Sequence, residues 1–76
     1  MSSNKEKKMK LFQKNLTEQR KTNNLTQRQV AAYLGISQPS YIRYENGQAE
    51  PTLENLVKLA DLFDVSVDYL LGRKEI

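Results

Sequence analysis

The chain has 76 residues, no Cys, no His and a formal net charge of +3. That length is one small domain, which buries only roughly 60% of the surface its unfolded chain exposes. Without Cys or His there is no disulfide, no thiolate metal site, no imidazole base and no imidazole zinc ligand, so stability has to come from a hydrophobic core, supported by a partner subunit if there is one.

The charge is concentrated at the N-terminal end. Residues 1–24 carry seven Lys/Arg (Lys5, Lys7, Lys8, Lys10, Lys14, Arg20, Lys21) against Glu6 and Glu18, a net +5, whereas residues 25–76 carry five basic and seven acidic side chains, a net −2. Met1–Lys10 is polar, with no apolar run of signal-peptide type behind it. The longest apolar run, Val30 to Leu34, is far short of the ~20 residues of a spanning helix. The expectation is a cytoplasmic chain with no membrane partner, held at the nucleoid if it binds DNA. A basic arm suits a row of phosphates or an anionic surface, and a solvated tail looks the same, so charge alone does not name the partner.

Five helices and no strand follow from the pattern. The first is expected from about Lys5 to Thr22, with Met9, Phe12 and Leu16 at i, i+3 and i+7 on one stripe and Asn23-Asn24 at its end. A second opens after Thr26, where Thr26 and Gln29 have the spacing of a capping box. It turns Val30, Ala31 and Leu34 inward and stops at Gly35. A third opens after Ser37, tolerates Pro39 in its first turn and closes at Asn46-Gly47. After a loop through Glu50-Pro51, a fourth follows Thr52, with Leu53, Leu56, Leu59, Ala60 and Phe63 as the expected buried face. A fifth, short helix is capped by Ser66, carries Asp68 at the favourable end of its dipole, offers Leu70 and Leu71 as anchors and ends at Gly72.

The informative unit runs from Gln27 to Asn46. Two helices joined by about three residues cross steeply, which calls for a small residue at the crossing (Ala31) and a residue able to take positive φ in the turn (Gly35). Val30, Leu34, Ile36, Tyr41 and Tyr44 are the side chains expected to lock the pair inward. An ordinary αα-hairpin shares those features. The outer face of the third helix adds more: Gln38, Ser40 and Arg43 are polar, and Arg and Gln match the edges of guanine and adenine. Gln38 and Arg43 lie 140° apart on a helical wheel, so they flank a face, with Pro39 and Ile42 between them as apolar surface for thymine methyls.

The run Leu25-Thr26-Gln27, Ala31, Leu34-Gly35-Ile36-Ser37, Tyr44-Glu45-Asn46-Gly47, Pro51-Thr52-Leu53-Glu54-Asn55-Leu56, Leu59-Ala60 and Val65-Ser66-Val67-Asp68-Tyr69-Leu70-Leu71 resembles the Cro/phage-repressor helix-turn-helix family of the xenobiotic-response-element type. The resemblance covers roughly Phe12 to Gly72. It implies an all-α fold, a compact five-helix lambda-repressor-like DNA-binding domain with the helix-turn-helix at the second and third helices. The implied organisation is an arm and helix start over 1–11, the domain over 12–72 and a tail over 73–76. It also implies residue roles: Gln38, Pro39, Ile42 and Arg43 at the bases; Gln27, Arg28, Ser40 and Asn46 at the phosphates; and an ion pair between Arg20 and Glu45 that orients the third helix. Three positions depart from the family's habit. Gln19 stands where an apolar residue is usual, so the first helix is expected to pack less tightly. Asn24 stands where Gly is usual. Tyr41 stands where a β-branched residue is usual, and either its hydroxyl finds a buried partner or the ring tilts outward.

Other chemistry is thin. Asp61, Asp64 and Asp68 look like a solvated face rather than a metal site, and no phosphate-cradling Gly-rich motif or acid–base set occurs. The expectation is a transcriptional regulator, most simply a repressor, that binds double-stranded DNA without cofactor, metal or small-molecule ligand and is not an enzyme. It is expected to act as a homodimer through Tyr69, Leu70, Leu71 and Ile76. The competing reading is an antitoxin- or antirepressor-like protein-interaction module on the same fold, with Tyr41 and Ile42 as exposed contacts.

Overall fold

The computed structural model describes residues 3–74, with side-chain surroundings from Lys10 to Lys74; Ile76 and the side chain of Met9 lie outside the described residues. Five helices follow one another: α1 Ser3–Thr22, α2 Gln27–Leu34, α3 Gln38–Asn46, α4 Leu53–Phe63 and α5 Val67–Leu70. No strand occurs among the described residues. The all-α, five-helix class expected from the sequence is the one observed. Helix α1 starts two residues before the expected Lys5, so the lysines from Lys5 to Lys10 sit on helical backbone.

Each of the four later helices opens on a hydroxyl that accepts an otherwise orphaned backbone N–H. Thr26 accepts from Gln29 in a complete capping box, Ser37 from Ser40, Thr52 from Asn55 and Ser66 from Tyr69. Helices α2 and α3 stop where Gly35 (φ 73°) and Gly47 (φ 77°) turn left-handed. Helix α4 stops the same way at Asp64 (φ 55°), a residue with a Cβ, and Asn24 (φ 58°) does so after α1.

The core takes Phe12 and Leu16 from α1, Val30, Ala31 and Leu34 from α2, Tyr41 and Tyr44 from α3, Leu56, Leu59, Ala60 and Phe63 from α4, and Leu70 from α5. Leu53 does not join them: it is 77% exposed. On a helical wheel it lies only about 20° from Ala60, but seven residues, roughly 10 Å, nearer the N-terminus, beyond the reach of the core. Asn55 is buried instead, its amide donating to the Tyr44 hydroxyl at 3.1 Å while its backbone N–H caps onto Thr52. Gln19 is half-buried, and its amide donates to the Tyr69 hydroxyl (3.3 Å) while the nearby Asn15 amide donates to the Tyr69 carbonyl (2.8 Å), so polar contacts tie α1 to α5 there.

Candidate nucleic-acid interface

The turn between α2 and α3 is three residues, Gly35-Ile36-Ser37. The backbone N–H of Gly35 bonds back to the carbonyls of Ala31 and Ala32, and that of Ile36 to Ala31, closing α2 as α3 begins at Gln38. Val30, Leu34, Tyr41 and Tyr44 then fix the pair from inside, with the two tyrosine rings edge to face at 6.1 Å between centroids.

With the inner face of α3 so occupied, its other face is open. Gln38, Pro39, Ser40, Arg43 and Asn46 are exposed and Ile42 is half-buried, so the apolar side chain of Ile42 is partly covered by its own fold. Arg28 on α2 is exposed and Gln27 half-buried. Ser40 is tied into the helix start: its N–H donates to the Ser37 hydroxyl at 3.2 Å, and that hydroxyl donates to the Ser40 hydroxyl at 2.8 Å. The first-turn backbone N–H groups of α3 stand beside Gln38, at the end of the helix where anions are favoured.

Glu45 binds three helices together. Arg20 of α1 meets it in a fork, Nε to Oε2 at 2.6 Å and Nη2 to Oε1 at 3.2 Å, while Nη1 donates to the Leu25 carbonyl at 3.0 Å. Gln27 of α2 donates to Oε1 at 3.1 Å, and the Tyr41 hydroxyl donates to Oε2 at 2.5 Å. The side chains of Arg20 and Glu45 are 13% and 5% exposed, so this pair is largely shielded from water. Burial pushes the Glu45 carboxyl up, but the hydrogen bonds from Arg20, Tyr41 and Gln27 outweigh it and leave the group below its ordinary value. Burial, helped by the neighbouring carboxylate, pushes the Tyr41 phenol far up, which keeps it protonated and donating.

Tyr41 is fully buried, so it is neither a base contact nor an exposed contact for a protein partner. Its bond to Glu45 is absent from the residue roles read in the sequence, although the i, i+4 spacing of the two residues carries the signal, since such pairs share a helix face. The carboxylate contact of Gln27 is likewise invisible to local pattern. At the other end of the chain, Leu70 is fully buried in its own domain and Tyr69 and Leu71 are half-buried against the core. Leu70 therefore cannot supply a contact to a second subunit. An open groove of about 610 Å³ borders α1 and the C-terminal turn, among Leu11, Lys14, Asn15, Tyr69 and Arg73, and includes none of the α2–α3 residues. Among the described residues no cluster of acidic side chains is arranged to hold a metal ion, and no helix is long and apolar enough to cross a membrane.

Two short helices joined by a left-handed glycine turn, locked from inside and polar outside, define a helix-turn-helix unit. A family model described as helix-turn-helix matches residues 16–70, and the chain belongs to this family in its Cro/phage-repressor, xenobiotic-response-element type. It is similar to the cryptic phage CTXphi transcriptional repressor RstR of Vibrio cholerae serotype O1, 53% identical over 58 residues, which are 76% of this chain and 52% of that protein. It is also similar to the transcriptional regulator AnsR of Bacillus subtilis, 48% identical over 60 residues, covering 79% of this chain and 52% of that one. The chain thus spans about half the length of these curated relatives. Among solved structures, the P22 c2 repressor, crystallised in complex with the synthetic operator 9T, superposes with a TM-score of 0.77 at 28% identity, covering 84% of this chain and 97% of that one.

Proposed function

We propose that the protein is a sequence-specific DNA-binding transcriptional regulator of the repressor kind, with α3 as the helix that enters the major groove. The observation that carries this reading is the two-sided character of α3: Tyr41 and Tyr44 are committed to the core while Gln38, Pro39, Ser40 and Arg43 remain outside. On this reading Gln38, Pro39, Ile42 and Arg43 meet base edges. Gln27, Arg28, Ser40 and Asn46 meet phosphates and set the register. Arg20 and Glu45 hold α3 at its angle. The operator complex of the structurally similar P22 c2 repressor supports the DNA-binding reading of the fold.

A homodimer on two half-sites about 34–36 Å apart fits such a reader. With Leu70 buried, its C-terminal contact would rest on Tyr69, Leu71 and Ile76. The protein-interaction alternative loses one of its two supports, because Tyr41 offers no exposed surface.

The test is binding to selected and scrambled DNA across a salt series. A specific reader discriminates by roughly 10³-fold or more and shows a steep salt slope. Arm-driven binding shows the slope without the discrimination, and a protein-only module shows neither. Within the same assay, Arg43→Ala is expected to lose about 1–3 kcal/mol at one base position and relax selectivity there, and Gln27→Ala to weaken all sequences alike. Unchanged selectivity in Arg43→Ala would remove it from the reading face.

A further inference from the structure

Glu45 accepts four hydrogen bonds, two from Arg20, one from Gln27 and one from Tyr41, which occupies the roughly four lone-pair directions of a carboxylate. Each oxygen has two partners. Oε2 is held by Arg20 Nε and the Tyr41 hydroxyl; Oε1 is held by Arg20 Nη2 and the Gln27 amide. Because the carboxylate is planar, fixing Oε2 from two sides also fixes where Oε1 stands, and Oε1 is what the Gln27 amide bonds to. Gln27 is the first residue of α2 and is half-buried, with one amide proton turned inward. Its second amide proton remains for an outside acceptor.

We propose that the Tyr41 hydroxyl is a positioning group for DNA recognition, acting through Glu45 to hold the Gln27 amide in a single orientation. This rests on the reading of Gln27 as a phosphate contact. The hydroxyl supplies it without meeting DNA, since Tyr41 is fully buried. Two features separate this role from core filling. The ring provides the volume and the packing against Tyr44, and a phenylalanine would provide both. Only the hydroxyl reaches the carboxylate. Without it Oε2 keeps Arg20 Nε alone, the carboxylate is free to swing toward the guanidinium, and the bond from Oε1 to Gln27 loosens. An ordered amide gives up little rotamer freedom when it meets a phosphate; a loosened one gives up more.

The experiment uses the full chain with Tyr41→Phe, and with Tyr41→Met as a second hydroxyl-free filler should the first not fold. Two readouts are taken. In the free protein, the Gln27 side-chain amide resonances, identified by their loss in Gln27→Ala, are expected to be well separated in the wild type. They should move together toward free-amide values in the hydroxyl-free variant. In DNA binding, the variant is expected to lose about fivefold in affinity, the scale of one net hydrogen bond. That loss should vanish when Tyr41→Phe is made in the Gln27→Ala background. Unchanged amide resonances, or an equal affinity loss with and without Gln27, would overturn the proposal. If the wild type shows no DNA discrimination, the DNA reading fails by itself, and the amide resonances still decide whether the Tyr41 hydroxyl orders Gln27.

Discussion

At the scale of single residues, the fold depends on one charged group more than on any other. Glu45 is almost wholly removed from water and is tolerated there because Arg20 neutralises it and Tyr41 and Gln27 complete its hydrogen bonds. Removing Arg20 alone leaves that carboxylate unpaired, so Arg20→Ala is expected to cost roughly 3–5 kcal/mol, a large share of the stability of so small a domain. A double-mutant cycle between Arg20 and Glu45, read by urea unfolding, should show strong coupling; a coupling near zero would remove the pair from the stability of the fold. The same carboxylate predicts an acid limb. Its folded-state value lies below the ordinary 4.5, so its contribution is complete above that pH and is lost as pH falls through the folded-state value. Urea midpoints should drop below about pH 4.5 more steeply for the wild type than for Glu45→Gln. Parallel curves would mean the group is not coupled to folding.

At the scale of elements, helix ends were easy to read and helix faces less so. The hydroxyl caps Thr26, Ser37, Thr52 and Ser66 each precede a helix, because a cap is satisfied within three residues of chain. The face of α4 departs from the expected one at Leu53, which lies outside, and the core also takes in Asn55, a polar residue outside the expected apolar set. A helical wheel gives an angle and no depth, and Asn55 is accepted only because the Tyr44 hydroxyl, eleven residues away, stands opposite its amide. The consequence is measurable. Leu53→Lys should shift stability by no more than about 0.5 kcal/mol, whereas Leu59→Ala, at a fully buried site on the same helix, should cost about 2–5 kcal/mol. Similar losses at the two sites would place Leu53 in a contact that the isolated domain does not have.

At the scale of the whole molecule, the arrangement of helices determines which surface is left for a partner. Helix α3 spends its tyrosines on the core and keeps its Gln and Arg outside, so the polar face proposed to read DNA is what the packing face leaves over. The C-terminal segment has less to offer than its sequence suggests, since Leu70 fills the core and the Tyr69 hydroxyl and carbonyl accept from Gln19 and Asn15. Dimerisation is accordingly expected to be weak in the free chain and to be completed on DNA. Sedimentation with and without a two-half-site operator is expected to show the dimer at least in the complex, and a monomer in both at high concentration would end that proposal.

Local chemistry was enough to specify five helices, their caps and the glycine turn, because each is encoded by residues within one or two helical turns of one another, and the family is legible because those local motifs recur at a fixed spacing along residues 12–72. The pairing of Arg20 with Glu45 was implied by the resemblance, and the structure places those side chains 2.6 Å apart. What the chain order could not express is how many groups share that one carboxylate. Arg20, Gln27, Tyr41 and Glu45 come from three helices and meet only once those helices have packed. In the same way the burial of Tyr41, Asn55 and Leu70 and the exposure of Leu53 depend on how far the assembled core extends, a length that belongs to the folded molecule rather than to any segment of it.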